Sequence, residues 1–148
     1  MISPSSVILK QYRNAQKINL EALLIDIAKK NEQLILDIHR DQLRRGEGGS
    51  GKMPKYFAGY LNYKKSLPSY FGGGNADWYI SGQLQEQEFI RFDSKEYEIS
   101  SKVSYLSDLL DNPRYGDDGL KLNPNSIELV QEKLTPIFNK ELHQQLNK

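Results

Sequence analysis

The stretch from Asp77 to Ser101, DWYISGQLQEQEFIRFDSKEYEISS, constrains this chain most. Phe89, Ile90 and Phe92 mark one strand, and beyond Asp93-Ser94-Lys95 a second strand alternates Tyr97 and Ile99 with Glu96, Glu98 and Ser100. An apolar residue at every second position is the period of a half-buried strand, with one face in a core and one in water. The pattern predicts an antiparallel pair joined at Asp93-Ser94-Lys95, with room for a third short strand in front. Trp78 and Tyr79 are expected in the core.

The rest of the chain must cover that sheet. Residues 19–45 read as a long helix. Asn19 is placed to cap it, and Glu21 sits in the first turn, where a negative charge suits the helix dipole. Leu20, Leu23, Leu24, Ile27, Leu34, Ile35, Ile38 and Leu43 fall at helical steps, and Gly46 can end the helix in the left-handed region. A continuous helix of that length would span about 40 Å, long for one domain, so a break near Lys30-Asn31 or a reach toward a neighbour is expected. Ser5 to Lys17 is a shorter helix with a rough apolar face of Val7, Ile8, Leu9, Tyr12 and Ala15. Val103 to Leu110 reads as a short helix stopped by Asp111-Asn112-Pro113. At Asn123 a capping residue precedes Pro124, whose missing N–H costs nothing at the first helical position, and Leu122 can clip onto Ile127. Pro136, inside the following apolar stripe, removes a helical hydrogen bond and should kink that helix.

Together these give one α+β domain over 1–148: a small antiparallel sheet packed by a long N-terminal helix and a kinked C-terminal helix. Its parts are an arm or helix at 1–18, the long helix at 19–45, a Gly- and Tyr-rich loop at 46–76 and strands at 77–101. A short helix and turn at 102–122 and the C-terminal helix at 123–148 complete it.

Reactive groups are sparse. The only histidines, His39 and His143, lie on predicted helices without a metal-ligating partner one turn away, and both read as surface residues. Glu86, Glu88, Asp93, Glu96 and Glu98 cluster on the strands. Glu96 and Glu98 share a face, as an acid–base pair can, but a solvated strand face has the same alternation. Asp111, Asp117 and Asp118 have the makings of a cation site, which turn chemistry explains equally well. GEGGSGK at Gly46 to Lys52 matches a phosphate-binding loop, yet Met53 stands where the magnesium-holding Ser or Thr belongs, and the loop follows a helix instead of a strand. No catalytic residue, metal site or cofactor is therefore assigned.

Binding residues are better represented. Tyr56, Phe57, Tyr60 and Tyr63 interleave with Lys52, Lys55, Lys64 and Lys65 in a long loop, the composition of a protein contact and also of a platform for single-stranded nucleic acid. Residues 1–45 carry eight basic and five acidic side chains and residues 46–76 four and one, net +3 each. Residues 77–100 carry two and six, net −4, so a basic front half faces an acidic sheet, within one molecule or between copies. The chain has no cysteine, which excludes disulfides and fits a reducing compartment. No apolar run exceeds four residues, so no bilayer span is expected, and the N-terminus lacks the pattern of a secretion signal.

The order of parts carries a resemblance. A helix ends in RDQLRRGEGGSGK and the aromatic stretch of Tyr56, Tyr60, Tyr63, Lys64 and Lys65 follows. A glycine-rich entry to DWYISGQL, Asp77 to Leu84, leads into paired strands ending at Ile99-Ser100-Ser101. RYG at Arg114 to Gly116 and LKLN at Leu120 to Asn123 then open the last helix. Over about residues 36–147 this resembles the small virion-morphogenesis proteins of tailed bacteriophages and prophages, especially of Bacteroides-type hosts. It is similar, more loosely, to the tail-completion and neck proteins of long-tailed phages. Ser81 stands where those proteins have threonine, and Leu120 where they have an aromatic residue.

The resemblance implies a non-enzymatic connector, neck or tail-completion subunit acting in head–tail joining as an oligomeric ring. Its partners would be its own copies and other virion proteins, in a ring that could admit DNA, with no membrane. It would reside in the virion, assembled in the bacterial host cytoplasm. Tyr56, Tyr60, Tyr63, Lys64 and Lys65 are the expected subunit contacts. The alternative is a single-stranded nucleic-acid-binding accessory protein.

Overall fold

The computed structural model describes residues 4–67, 74–79 and 81–148. Tyr70, Phe71 and Gly72 of the aromatic loop lie outside them. Helix α1 covers Pro4–Lys17. The long helix divides at Asn31 into α2, Leu20–Lys30, and α3, Glu32–Arg44. Asn31 makes the division because its amide donates to the Ile27 and Ala28 carbonyls, while its side-chain Nδ2 takes the Ile27 carbonyl again at 2.8 Å. Both backbone and side chain thus close the preceding turn instead of continuing it. Asn19 caps α2, its Oδ1 accepting from the Ala22 amide at 3.1 Å. Gly46, at φ 69°, ends α3 in the left-handed region.

The sheet expected at 77–101 is a two-stranded hairpin. Strand β3, Glu88–Phe92, pairs antiparallel with β4, Tyr97–Ser101, in a register that sets Ile90 opposite Ile99. Asp93 fixes the turn, its Oδ1 accepting from the amides of Lys95 at 2.7 Å and Glu96 at 2.8 Å. Those two donors hold its carboxyl below the usual carboxylate range. In front of β3 a short helix, Gln83–Glu86, stands where a third strand had room to form, launched by Gly82 at φ 84°.

A second, minor hairpin occupies the glycine-rich loop: β1, Glu47–Gly48, pairs with β2, Gly51–Lys52. Asp118 pins it, accepting from the Ser50 amide at 3.0 Å and the Ser50 hydroxyl at 2.8 Å. Lys52, the lysine of the phosphate-loop-like motif, donates to the Arg45 carbonyl.

Two apolar clusters hold the parts together. In the first, Ile90 and Ile99 pack with Ala28, Ile35, Leu36, Ile38 and Val130, so the hairpin's inner face sits on α2, α3 and the C-terminal helix. Burying each such side chain contributes about 1.5–3 kcal/mol. Glu32, in the first turn of α3, accepts the Ile90 amide at 2.9 Å and so satisfies a strand-edge donor. In the second, Trp78 packs with Leu43, Met53, Ala76, Leu84 and Val103, as expected of a core residue.

The C-terminal helix, Pro124–Leu146, starts at Asn123, whose Oδ1 accepts from the Ser126 amide at 2.9 Å. It contains Pro136 and is kinked. The architecture is α+β, as the hydrophobic periodicities imply. Among the described residues no helix is long and apolar enough to cross a membrane.

Candidate protein–protein interface

Residues 58–65 form a helix, Ala58–Lys65, directly after Tyr56 and Phe57. Steps of four and three residues bring Tyr56, Tyr60 and Tyr63 onto one side. Their ring centroids are 4.8 Å apart for Tyr56 and Tyr60, and 6.0 Å for Tyr60 and Tyr63. The expected contact residues do not share one environment. Tyr63 and Lys65 are exposed and Tyr60 is half-buried.

Lys64 is buried, which corrects its place among the surface contacts. Its Nζ donates to Asp77 Oδ1 at 2.7 Å and to the Tyr79 carbonyl, and stands 5.2 Å from the Tyr56 ring centre. Asp77 draws the lysine in because a buried carboxylate needs a counter-charge. The Tyr56 hydroxyl donates to the same Asp77 oxygen at 2.8 Å and accepts from the Asp77 and Trp78 amides. Burial, reinforced by the Asp77 carboxylate, pushes the Tyr56 phenol well above its ordinary range. This knot holds Trp78 at φ 54°, a backbone region that bulky residues avoid.

Beside it Phe57, part of the aromatic platform read from the sequence, meets an arginine distant in sequence. Phe57 is 72% exposed, and the Arg114 guanidinium stacks 4.1 Å from its ring centre while donating to the Lys55 carbonyl. Tyr56, Phe57, Tyr60, Trp78, Tyr105 and Tyr115 wall a pocket of about 290 Å³ there. The exposed and half-exposed groups at this place are therefore Phe57, Tyr60, Tyr63 and Lys65, with Arg114.

A second uncovered surface lies on α1. Gln11 Nε2 donates to Asn147 Oδ1 at 3.0 Å and Asn14 Nδ2 to the Leu146 carbonyl at 2.8 Å, so amide side chains tie α1 to the end of the C-terminal helix. Ile8, Leu9 and Tyr12 are 64%, 54% and 61% exposed. A helix buries its apolar face when its own fold supplies a cover; here the polar side is inward and the apolar side outward.

His39 is the other correction. It is fully buried in α3, as is Glu88 opposite it, so neither is a surface or solvated-face residue. His39 Nε2 lies 2.8 Å from the Gly119 carbonyl, which can only accept, so Nε2 carries a proton. His39 Nδ1 lies 3.1 Å from Glu88 Oε1. Arg40 Nε stands 3.4 Å from the other Glu88 oxygen, while its Nη2 donates to the Gln85 carbonyl. The imidazole and the carboxylate are sealed from solvent and joined to backbone. Their arrangement ties α3, β3 and the 3₁₀ turn at Asp118–Leu120 into one unit. His143 is exposed near the chain's end, as expected of a surface residue.

Comparison of the chain with protein-family models, with curated proteins and with solved structures finds no match.

Proposed function

We propose that this chain is a structural, non-enzymatic subunit of a tailed-phage virion, a connector, neck or tail-completion protein that acts in head–tail joining as an oligomeric ring. Its partners are its own copies and neighbouring virion proteins. The observation that carries the reading is the outward apolar face of α1, a surface suited to being covered by another subunit. The separate aromatic surface at Phe57 and Tyr63 supports it as a further exposed contact, suited to a neighbouring virion protein. The order of parts over residues 36–147, similar to that of virion-morphogenesis proteins, supports the virion as the place of action.

The single-strand-binding reading keeps less support. Lys64 and Tyr56, two members of its stacking and charge platform, are bound to Asp77. Negative-stain imaging of the purified protein tests the proposal. Closed rings are the expected result; single particles of one subunit at high concentration, with or without neighbouring virion proteins, overturn it.

A further inference from the structure

The two ends of the C-terminal helix carry surfaces that answer one another. At its far end, α1 presents Ile8, Leu9 and Tyr12 outward, and the helix carries Lys10, Arg13 and Lys17 with no acidic residue. At 100° per residue Ile8, Tyr12 and Leu9 form one arc, and Arg13, Lys17 and Lys10 continue round from Leu9. The face is apolar with a basic border.

At the near end, an open trough of about 690 Å³ runs between the β3–β4 hairpin and the start of the C-terminal helix. Phe92, Tyr97, Leu122 and Ile127 line it, and Glu96 and Glu98 stand on its exposed hairpin side. Asp93, also on that side, accepts from the turn's own amides, Arg91 is the cross-strand neighbour of Glu98, and Lys121, which lines the opposite side, is paired with Asp117 at 3.1 Å. Glu96 and Glu98 are thus the acidic groups that a basic helix border would meet.

α1 cannot reach this trough in its own molecule. Asn14 is tied to Leu146, and Leu146 lies 19 residues from Ile127, about 28 Å along the helix at 1.5 Å per residue. The apolar arc of α1 begins six residues from Asn14, only about 9 Å along α1. Head and socket belong to one chain but meet only between chains.

We infer that α1 of one copy docks its Ile8–Leu9–Tyr12 face into the hairpin trough of a second copy, with Arg13 and Lys17 beside Glu96 and Glu98. This deepens the ring reading and rests on it, because it names the two faces through which successive subunits join. Helix-in-groove docking of this kind is specified by apolar anchors at helical steps and by the charges that flank them. Using two different patches leaves each copy with one of each, so the contact repeats around a ring.

Two exposed-residue variants of the full chain test it. One disables the helix, Leu9→Asp with Tyr12→Asp; the other reverses the trough's charge, Glu96→Lys with Glu98→Lys. Circular dichroism confirms that each remains folded, and light scattering after size exclusion gives the mass. The expected result is that the wild type assembles beyond a dimer, that each variant alone is monomeric, and that their equimolar mixture gives a heterodimer and nothing larger. Adding Arg13→Glu and Lys17→Glu to the trough variant should recover assembly, at affinity at least tenfold above the trough variant alone. If either variant assembles like the wild type, or the mixture gives no heterodimer, the inference falls while the ring reading stands. If the wild type is itself monomeric at high concentration, both fall.

Discussion

Replacing Lys64 with alanine separates a structural lysine from a surface one. The Lys64 side chain is 2% exposed and that of Asp77 is 9% exposed, with 2.7 Å between charged atoms. Removing one partner of a buried pair typically costs about 3–5 kcal/mol, because the other charge is left in a poor solvent. Asp77 keeps two donors, the Tyr56 hydroxyl at 2.8 Å and the Tyr79 amide at 3.1 Å, which moves the cost toward the lower end. The Tyr79 carbonyl also loses a donor, worth about 1 kcal/mol. A loss of about 3–4 kcal/mol follows, against the 5–15 kcal/mol that typically holds a domain together, and a fall in Tm of roughly 10 °C. Urea unfolding followed by circular dichroism measures it, with Lys65→Ala as the exposed control, expected within about 0.5 kcal/mol of wild type. Lys64→Met combined with Asp77→Asn should lose less than the two single changes summed, since neither charge is then stranded. If Lys64→Ala costs no more than Lys65→Ala, the buried knot is wrong and Lys64 returns to the contact surface.

Gly119→Ala would place a Cβ within 2.5 Å of the six-membered ring of Trp78, and should cost about 1–3 kcal/mol. Because Trp78 is the only tryptophan, its fluorescence should shift to the red as the ring is displaced. Asn123→Ala removes the acceptor for the Ser126 amide and should cost about 1 kcal/mol in urea unfolding, with the C-terminal helix otherwise retained. Burial raises the phenols of Tyr60 and Tyr97 above their ordinary value. Their contribution to stability is therefore whole below about pH 10, the unfolded value, and is lost as pH rises above it through their folded values. Urea midpoints measured from pH 8 to 11 should be insensitive to these two groups at the lower end and fall at the upper, whereas Tyr97→Phe should flatten the fall.

Much of the fold was legible because the deciding chemistry is local. Asn19, Asn31, Gly46 and Asn123 start or stop helices through bonds to residues within four positions, and such signals can be read without knowing what lies across the core. The hairpin was legible from alternation alone. The buried polar groups were not, because their partners are distant in sequence: His39 meets Glu88 across 49 residues and Gly119 across 80. A signal was present nonetheless. His39 lies four residues from both Ile35 and Leu43, on the apolar stripe of α3, and Glu88 lies two residues from Ile90, on the inward face of β3. Lys64 follows Tyr60 by one helical turn in the same way. A polar residue at an inward step announces a buried pair, but the step alone does not name the partner. The inverted face of α1 was hidden for the opposite reason, since periodicity locates an apolar arc without saying whether the fold covers it.

The proposed assembly rests on the outward apolar face of α1, and the mass of the protein in solution tests it most directly. One chain weighs 17.0 kDa. Sedimentation velocity across a range of concentrations should show a species that is a higher multiple of that mass, exceeding a dimer and shrinking when Leu9 and Tyr12 are made acidic. A single 17.0 kDa boundary at every concentration would contradict it.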